Sequence, residues 1–436
     1  VACRSDPPPT RGDSLVQQRS RLTTAIVISI VAINSLGIGL VFPVMPALLG
    51  EVGQVDIGQA AAIGGLMSLA FAGMQVVFGP LLGALSDRFG RRPVLIISLL
   101  ASALDYAILA VANALWMFFV IRMFAGIASA TFSVSNAVLA DTSNPEDRAA
   151  QFGLTGAAFG IGFVIGPLFG GVLGELGPRM PFVAAGLLCF VGAGLAALLL
   201  PETRSQNDRR ALNWSDCIPF AAFGKLRHRL SLIPLFTAQF LDSIAGFVYP
   251  AVWAYFAVAQ FGWSPGTVGL SLAGYGLCMA LIQAGGVRIL VQCIGEQRTA
   301  VLGLSLGVVG FALLSGLSSG WIAFVLMPLF AGRAISNSAI SGLLSRQMPN
   351  DKQGELQGLL SGLTGLATMV SIPLMTQIFS AANSAERGTD WPGAPFAAAA
   401  AFSLLSLVIL ASSLRVSRHE DEDPKLIETH TEKGPT

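Results

Sequence analysis

Twelve stretches of this chain are apolar for about twenty residues or more, and no other feature restricts its fold as tightly. They lie near 22–49, 58–85, 93–111, 114–136, 149–174, 181–200, 231–259, 266–287, 299–317, 321–345, 354–381 and 394–414. An α-helix rises about 1.5 Å per residue and bilayer hydrocarbon is about 30 Å thick, so each stretch can span as a helix. Only 12% of the 436 residues are charged, against about 25% in a soluble domain. Water is therefore not the main solvent, and an all-α membrane protein with twelve transmembrane helices is expected. The 49 glycines suit such a bundle, because small residues let helices approach closely.

The charges that remain are concentrated. In "GALSDRFGRRPVL", Gly83 to Leu95, four charges stand together between two apolar stretches: Asp87, Arg88, Arg91 and Arg92. Alternating spans place 22 of the 26 lysines and arginines on the side of the N-terminus. The positive-inside rule then puts both termini in the cytoplasm, and the protein in the cytoplasmic (inner) membrane as a multi-pass protein. A net charge of +1 points to no nucleic-acid partner. The lipid bilayer, a small-molecule substrate and protons are the expected partners, and a monomer is expected. Five scattered cysteines without metal spacing are expected as free thiols, with no metal and no cofactor. No paired carboxylates, nucleophile–base set or metal cluster suggests an enzyme.

The polar stretch from Pro201 to Arg229 divides six spans from six. The expected organisation is a disordered cytoplasmic tail (1–21), a first half (22–200), a cytoplasmic linker (201–230), a second half (231–414) and a charged tail (415–436). The first residues have no apolar run and read as a tail, not a signal peptide. The halves echo each other. "WMFFVIRMFAG" at Trp116 matches "WIAFVLMPLFAG" at Trp321, and Gly126, Gln151 and Pro167-Leu168 recur as Gly332, Gln357 and Pro373-Leu374, at offsets of 205 or 206. Repeats in one orientation at one offset read as parallel, pseudo-symmetric halves facing a central site. Glycine stripes (Gly162, Gly166, Gly170 and Gly174; Gly354, Gly358 and Gly362; Gly79 and Gly83) allow close crossing, and their recurrence favours moving interfaces.

These motifs resemble a known family. "GALSDRFGRRPVL" resembles the loop between helices 2 and 3 of major facilitator superfamily transporters. "GIGFVIGPLFGG", with Gly162, Gly166, Pro167, Gly170 and Gly171, is similar to the fifth-helix motif of the family's drug–proton antiporters. "RMFAG", with Arg122 and Gly126, resembles their fourth-helix motif. "MQVVFGP", "ASALDYAILAVANALWM", "AVLADTS", "FGWSPGTVGLSLAGYGL" and "LSRQMPNDKQGELQGLLSGLT" resemble the tetracycline efflux branch, and the likeness spans about Leu22 to Ser380. The resemblance implies the major facilitator fold and a conformational latch at Gly83, Asp87, Arg88, Gly90, Arg91, Arg92 and Asp141, with Asp87 capping or pairing near a neighbouring helix start. It also shows departures. Tetracycline pumps carry acids in the first and ninth helices and a histidine in the eighth. Here Asn34 and Gly307 stand in the first two places, and the histidines, His228, His419 and His430, lie outside the spans. A magnesium–tetracycline chelate is therefore expected to be a poor substrate.

A charge at mid-helix costs about 2.5–3.5 kcal/mol on insertion scales, so each needs a reason. Asp105 and Arg122 each lie eight residues from the outer turn of a helical hairpin, at similar depth, and can pair. Asp242 and Arg333 both lie near mid-depth in the second half. The resemblance implies that helices 1, 4, 7 and 10 line the cavity, so that Asn34, Arg122, Asp242 and Arg333 ring one level of it. Asp242, the only acid among them, is the expected proton carrier, and Asp105–Arg122 the expected structural pair. Gln75, Gln239, Tyr249, Trp253, Tyr255, Gln283 and Asn337 are candidates for holding substrate. For each alone, a hydrogen-bonded polar residue or an interfacial aromatic is the simpler account. The function expected is a proton-coupled efflux antiporter for an amphiphilic drug or metabolite. The rivals are a symporter or facilitator for a nutrient such as a sugar, and a transporter-like receptor that does not transport.

Overall fold

The computed structural model describes residues 11–143, 148–204, 232–349, 352–383 and 390–422. Most of the expected linker, and residues 1–10 and 423–436 of the expected tails, lie outside them. Twelve helices among the described residues are long and apolar enough to cross a membrane. They are α1 (Arg21–Gly53), α2 (Ile57–Phe89), α3 (Arg91–Val111), α4 (Leu115–Thr142), α5 (Ala150–Glu175) and α6 (Met180–Leu199). The second six are α7 (Ile233–Phe261), α8 (Pro265–Ile294), α9 (Glu296–Ser315), α10 (Gly320–Arg346), α11 (Gln353–Ala382) and α12 (Ala394–Arg415). Large apolar side chains such as Trp116, Phe124, Leu198, Trp321 and Val325 are exposed. In water that would be unfavourable, whereas in lipid it is the expected outer surface.

Both expected tails are partly helical. Helix runs from Arg11 into the first span, and from the last span to Glu422. Adding residues to an existing helix fixes one residue per new hydrogen bond, without the nucleation cost, and Leu, Gln, Arg and Glu lose little side-chain freedom there. Several connections between spans are short. Gly90 alone separates α2 from α3, and Gly295 alone separates α8 from α9, with φ of 107° and 81°. These values strain any residue with a Cβ. α7 stops where Gly262 turns left-handed at φ 64°, the usual glycine stop.

The chain divides into two compact units. One comprises Val1–Val44 and Gly73–Pro219, the other Met45–Ala72 and Phe220–Thr436. Inside the first, α1 packs on α5 and α6, and α3 on α4 and α6. Inside the second, α7 packs on α11 and α12, and α9 on α10 and α12. Each pairing recurs six helices later, which is the packing form of the sequence repeat. The first core gathers Val27, Ile30, Leu95, Leu99, Val138 and Ala196. The second gathers Phe236, Leu304, Ile340, Leu344, Leu356 and Leu410.

Residues 45–72, which the sequence assigns to the first half, group with the second unit. Gly64 and Gly65 explain this. A Cβ on either would overlap the Tyr255 hydroxyl or the Thr376 side chain, so only glycine lets α2 come so close to α7 and α11. The glycines of α5 act likewise in the first unit. A Cβ on Gly162 would meet Ser35 and Ala32, on Gly166 the Gly39 backbone, and on Gly170 the Leu40 carbonyl. Pro167 lies against Gly39 in the same seam. That stripe is a close helix contact, whereas Gly79, Gly83, Gly354 and Gly358 would meet nothing within 4 Å.

Candidate functional site

Among the described residues, each unit holds one carboxylate–arginine pair away from the ends of its spans. In the first, Arg122 Nη2 lies 3.4 Å from Asp105 Oδ2. Asp105 is buried, and its Oδ1 has no hydrogen-bond partner. The Tyr106 ring lies under the guanidinium, with its centroid at 5.9 Å. Here α3 and α4 descend from one short turn, so eight residues along each bring the two side chains to one depth.

In the second unit the pair is tighter. Arg333 Nη1 donates to Asp242 Oδ1 at 2.8 Å and to the Asp242 carbonyl at 3.2 Å. The Ser336 hydroxyl donates to Asp242 Oδ2 at 2.8 Å. Asp242 has no exposed surface. Two glycines make room for the arginine. A Cβ on Gly246 would strike the guanidinium, and one on Gly307 would lie 2.9 Å from Arg333 Cγ. Gly307 is thus the space that the arginine stem fills. Arg333 also stands where α10 divides into two helical pieces, Gly320–Gly332 and Ala334–Arg346.

The two pairs differ in how closely the carboxylate is held. Asp242 has both oxygens engaged, as a fixed counter-ion does. Asp105 has one longer contact and one bare oxygen. Sequence reading also missed Ser336, Gly246 and the purpose of Gly307. Ser336 stands three residues after Arg333, on the same helix face, which was the one available signal.

The other candidates are dispersed. In the first unit, Gln75 donates to Ser129 Oγ at 2.9 Å, and Asn34 is half-buried. In the second, Tyr249 stacks on Tyr275 and Trp253, at centroid distances of 3.9 Å and 4.5 Å. Trp253 donates to Ser271 Oγ at 2.8 Å. Tyr249, Trp253, Tyr255 and Gln239 are all buried, so none offers an open surface in this conformation. The Tyr249 hydroxyl and Gln239 Oε1 have no hydrogen-bond partner. Gln283, in a π-turn of α8 (Ile282–Gly286), and Asn337 are exposed.

The expected latch is a network at the end of the first unit where α1 begins. Arg91, the first residue of α3, is buried and fully engaged. Its Nη2 lies 2.6 Å from Asp87 Oδ1, its Nε 3.1 Å from Asp141 Oδ2, and its Nη1 donates to Ser86 Oγ at 2.6 Å. Arg204 approaches both acids, at 3.9 Å and 3.5 Å. Arg92 donates to the Ala197 carbonyl. Arg88 is exposed, over the Phe89 ring. Asp87 pairs at the start of α3 but does not cap it. Glu202 does, its two oxygens accepting from the Arg91 and Arg92 amides at 2.9 Å and 3.2 Å. Glu202 lies 111 positions from Arg91, beyond the reach of any local pattern. Of the cysteines, Cys189, Cys278 and Cys293 are free thiols, while Cys3 and Cys217 lie outside the described residues.

Comparison with known proteins agrees with this architecture. Tetracycline resistance protein, class C, of Escherichia coli is 38% identical over 373 residues, covering 86% of this chain and 93% of that protein. The class B protein of Escherichia coli is 39% identical over 359 residues, covering 81% and 87%. The class G protein of Vibrio anguillarum is 36% identical, covering 85% and 94%. Among solved structures, the nucleoside transporter NupG superposes with a TM-score of 0.74 at 14% identity, over 90% of this chain and 99% of that one. The human organic anion transporter MFSD10 (TETRAN) gives 0.64 at 24% identity, over 90% and 99%. Identities this low speak to the fold alone. The sequence pattern of the Major Facilitator Superfamily matches residues 27–241 and 235–434, and with these relatives it establishes that the chain belongs to that superfamily, in the branch of the tetracycline resistance proteins.

Proposed function

We propose that this chain is a proton-coupled antiporter that exports an amphiphilic drug or metabolite by alternating access. It sits in the cytoplasmic membrane with both termini inside, as its positive charges favour. The kinship with tetracycline resistance proteins over more than four-fifths of the chain carries the efflux reading. One proton moving down roughly 100 mV and one pH unit supplies about 2.3 + 1.4 kcal/mol, enough for a drug gradient of several hundredfold. A nutrient symporter or facilitator has less support, since the tetracycline resistance proteins are 36–39% identical to this chain, whereas the nucleoside transporter shares its fold at 14% identity.

Coupling is assigned to Asp105 and Arg122, with Asp242 and Arg333 as a fixed pair. Asp242 has both carboxylate oxygens engaged, by Arg333 and Ser336, and is placed as a fixed counter-ion. Asp105 has no donor on its second oxygen, which is therefore the carboxylate oxygen of the two pairs left open to a proton. Asp105→Asn should bind substrate and exchange it downhill, but release no proton on substrate addition to proteoliposomes. Asp242→Asn should leave Arg333 buried without a counter-charge, with a loss of about 3–5 kcal/mol read as a lower melting temperature in detergent. Normal proton release by Asp105→Asn, beside a stable but uncoupled Asp242→Asn, would return the proton to Asp242. The latch group remains a proposal of the same kind: Asp87, Arg91 and Asp141 hold one state, and Gly83 leaves that face open.

A susceptibility panel in a pump-deficient bacterial host tests the substrate class, with tetracyclines included because of the relatives. Asn34 and Gly307 leave the spans without two acids for a chelated cation. Magnesium–tetracycline uptake into everted vesicles is therefore expected to be weak, and strong metal-dependent uptake would refute this.

A further inference from the structure

The spans of the second unit have a groove with no role in the reading above. It lies between the start of α9 and the end of α12. Its volume is about 240 Å³, and it is lined by Gln297, Arg298, Val301, Ala411, Leu414 and Arg415. Both arginines are exposed, neither makes an ion pair with a described residue, and no acid lines the groove. Glu296, beside the groove, is bound to Arg346 at 2.8 Å. Two cations thus stand together at a helix–helix seam, with apolar walls between them.

The walls continue. On α12, Ala411, Val408 and Leu404 follow Arg415 at steps of three or four residues, so they share its face, and Val408 and Leu404 are exposed. On α9, Val301, Ser305, Val309 and Leu313 follow Arg298 at the same steps, apolar except for Ser305, and the last two are exposed. From Arg415 to Leu404, and from Arg298 to Val309, the helices rise about 16 Å, close to the half-thickness of bilayer hydrocarbon. A ligand that fits has a negative head of phosphate size and an apolar body about one leaflet long.

We infer that this groove binds an anionic phospholipid, with its headgroup phosphate between Arg298 and Arg415 and its acyl chains along the exposed faces of α9 and α12. Basic pockets between spans are suited to such headgroups, because the arginine fork matches phosphate geometry. A free phosphate would satisfy the arginines equally but would leave the apolar track unused. On the orientation proposed above, the lipid belongs to the inner leaflet.

Native mass spectrometry of the full chain, purified in detergent, tests this with phosphatidylglycerol, phosphatidylcholine and soluble glycerophosphate as probes. Phosphatidylglycerol should be retained in preference to phosphatidylcholine, and millimolar glycerophosphate should not displace it. Arg298→Gln with Arg415→Gln should weaken retention about thirtyfold, and Arg298→Lys with Arg415→Lys should restore only part of it, since an ammonium keeps the charge but not the fork. Arg288→Gln, at an exposed arginine outside the groove, should change nothing. Melting curves of the variants without added lipid should coincide, which separates lost binding from lost folding. Equal retention by the double Gln variant would overturn the inference. So would displacement by glycerophosphate, which would make the groove a site for soluble anions. The inference needs the chain only to be in a membrane, so it survives if the export reading fails.

Discussion

The two units carry the same device with its charges exchanged. In the first, Arg91 opens α3 and pairs with Asp141 near the end of α4. In the second, Glu296 opens α9 and pairs with Arg346 at the end of α10. Both partners recur at one offset, since 296 − 91 and 346 − 141 are each 205. The glycines before them, Gly90 and Gly295, match in position and both have positive φ. The backbone plan is common and the sign of each charge is not. What differs physically is the helix terminus. The start of a helix carries about half a positive charge. Glu296 suits that position and needs no help. Arg91 does not, and the first unit adds Glu202 on the α3 amides and Asp87 on the guanidinium. The burial differs accordingly. The Arg91 side chain is 10% exposed and that of Arg346 73%. The first network holds its unit together, whereas the second joins a largely covered Glu296 to an arginine that lies at the surface.

The largest effect should come from Arg91→Met. It would leave Asp87 and Asp141 facing each other with Arg204, at 3.9 Å and 3.5 Å, as the remaining cation paired with them among the described residues. Removing one member of a buried ionic cluster costs about 3–5 kcal/mol, so the apparent melting temperature in detergent should fall sharply. Arg346→Met should hardly move it. Equal shifts for the two variants would end the distinction between them.

Glu202→Gln should have an intermediate effect. Gln still presents one acceptor, but the charge that offsets Arg91 at the helix start is gone. A loss of about 1 kcal/mol is expected, together with faster amide exchange at Arg91 and Arg92. Unchanged exchange there would mean that the cap contributes nothing.

How much of this could be read from the sequence depends on distance along the chain. The spans were legible because each is a continuous apolar run, and a run keeps its meaning whatever it packs against. The pairing of Asp105 with Arg122 was legible because a short hairpin fixes relative depth. Asp242 and Arg333 could be placed near mid-depth only by counting residues into their separate spans. Which pair was the tighter could not be read. That depends on Ser336 meeting Asp242, and on Gly246 and Gly307 giving up the volume that Arg333 occupies. Each is a crossing between helices distant in sequence. Gly307 is instructive: against the family's pattern it registers as a missing acid, whereas in the fold it is space for a cation. Glu202 was hidden in the same way, and so was the grouping of residues 45–72, which rests on two glycines meeting side chains from the far half of the chain.

The smallest effect tests the charge exchange itself. A double-mutant cycle on Glu296 and Arg346 should give a coupling below about 1 kcal/mol, as for other exposed pairs. The informative variant is the swap, Glu296→Arg with Arg346→Glu, which gives the second unit the charge order of the first. The ion pair can re-form, since both side chains reach the same seam. The arginine now opens α9, however, against the positive end of the helix, and the lining of that end offers no acid in the place of Glu202. A cation at this position is unfavourable by about 0.3–1 kcal/mol, and an acid favourable by as much. The swapped protein should therefore be slightly less stable than the original although its pair is intact, and the deficit should shrink at high salt. If the swap is neutral at low salt, the helix terminus does not set the order of charges, and Glu202 must be present in the first unit for another reason.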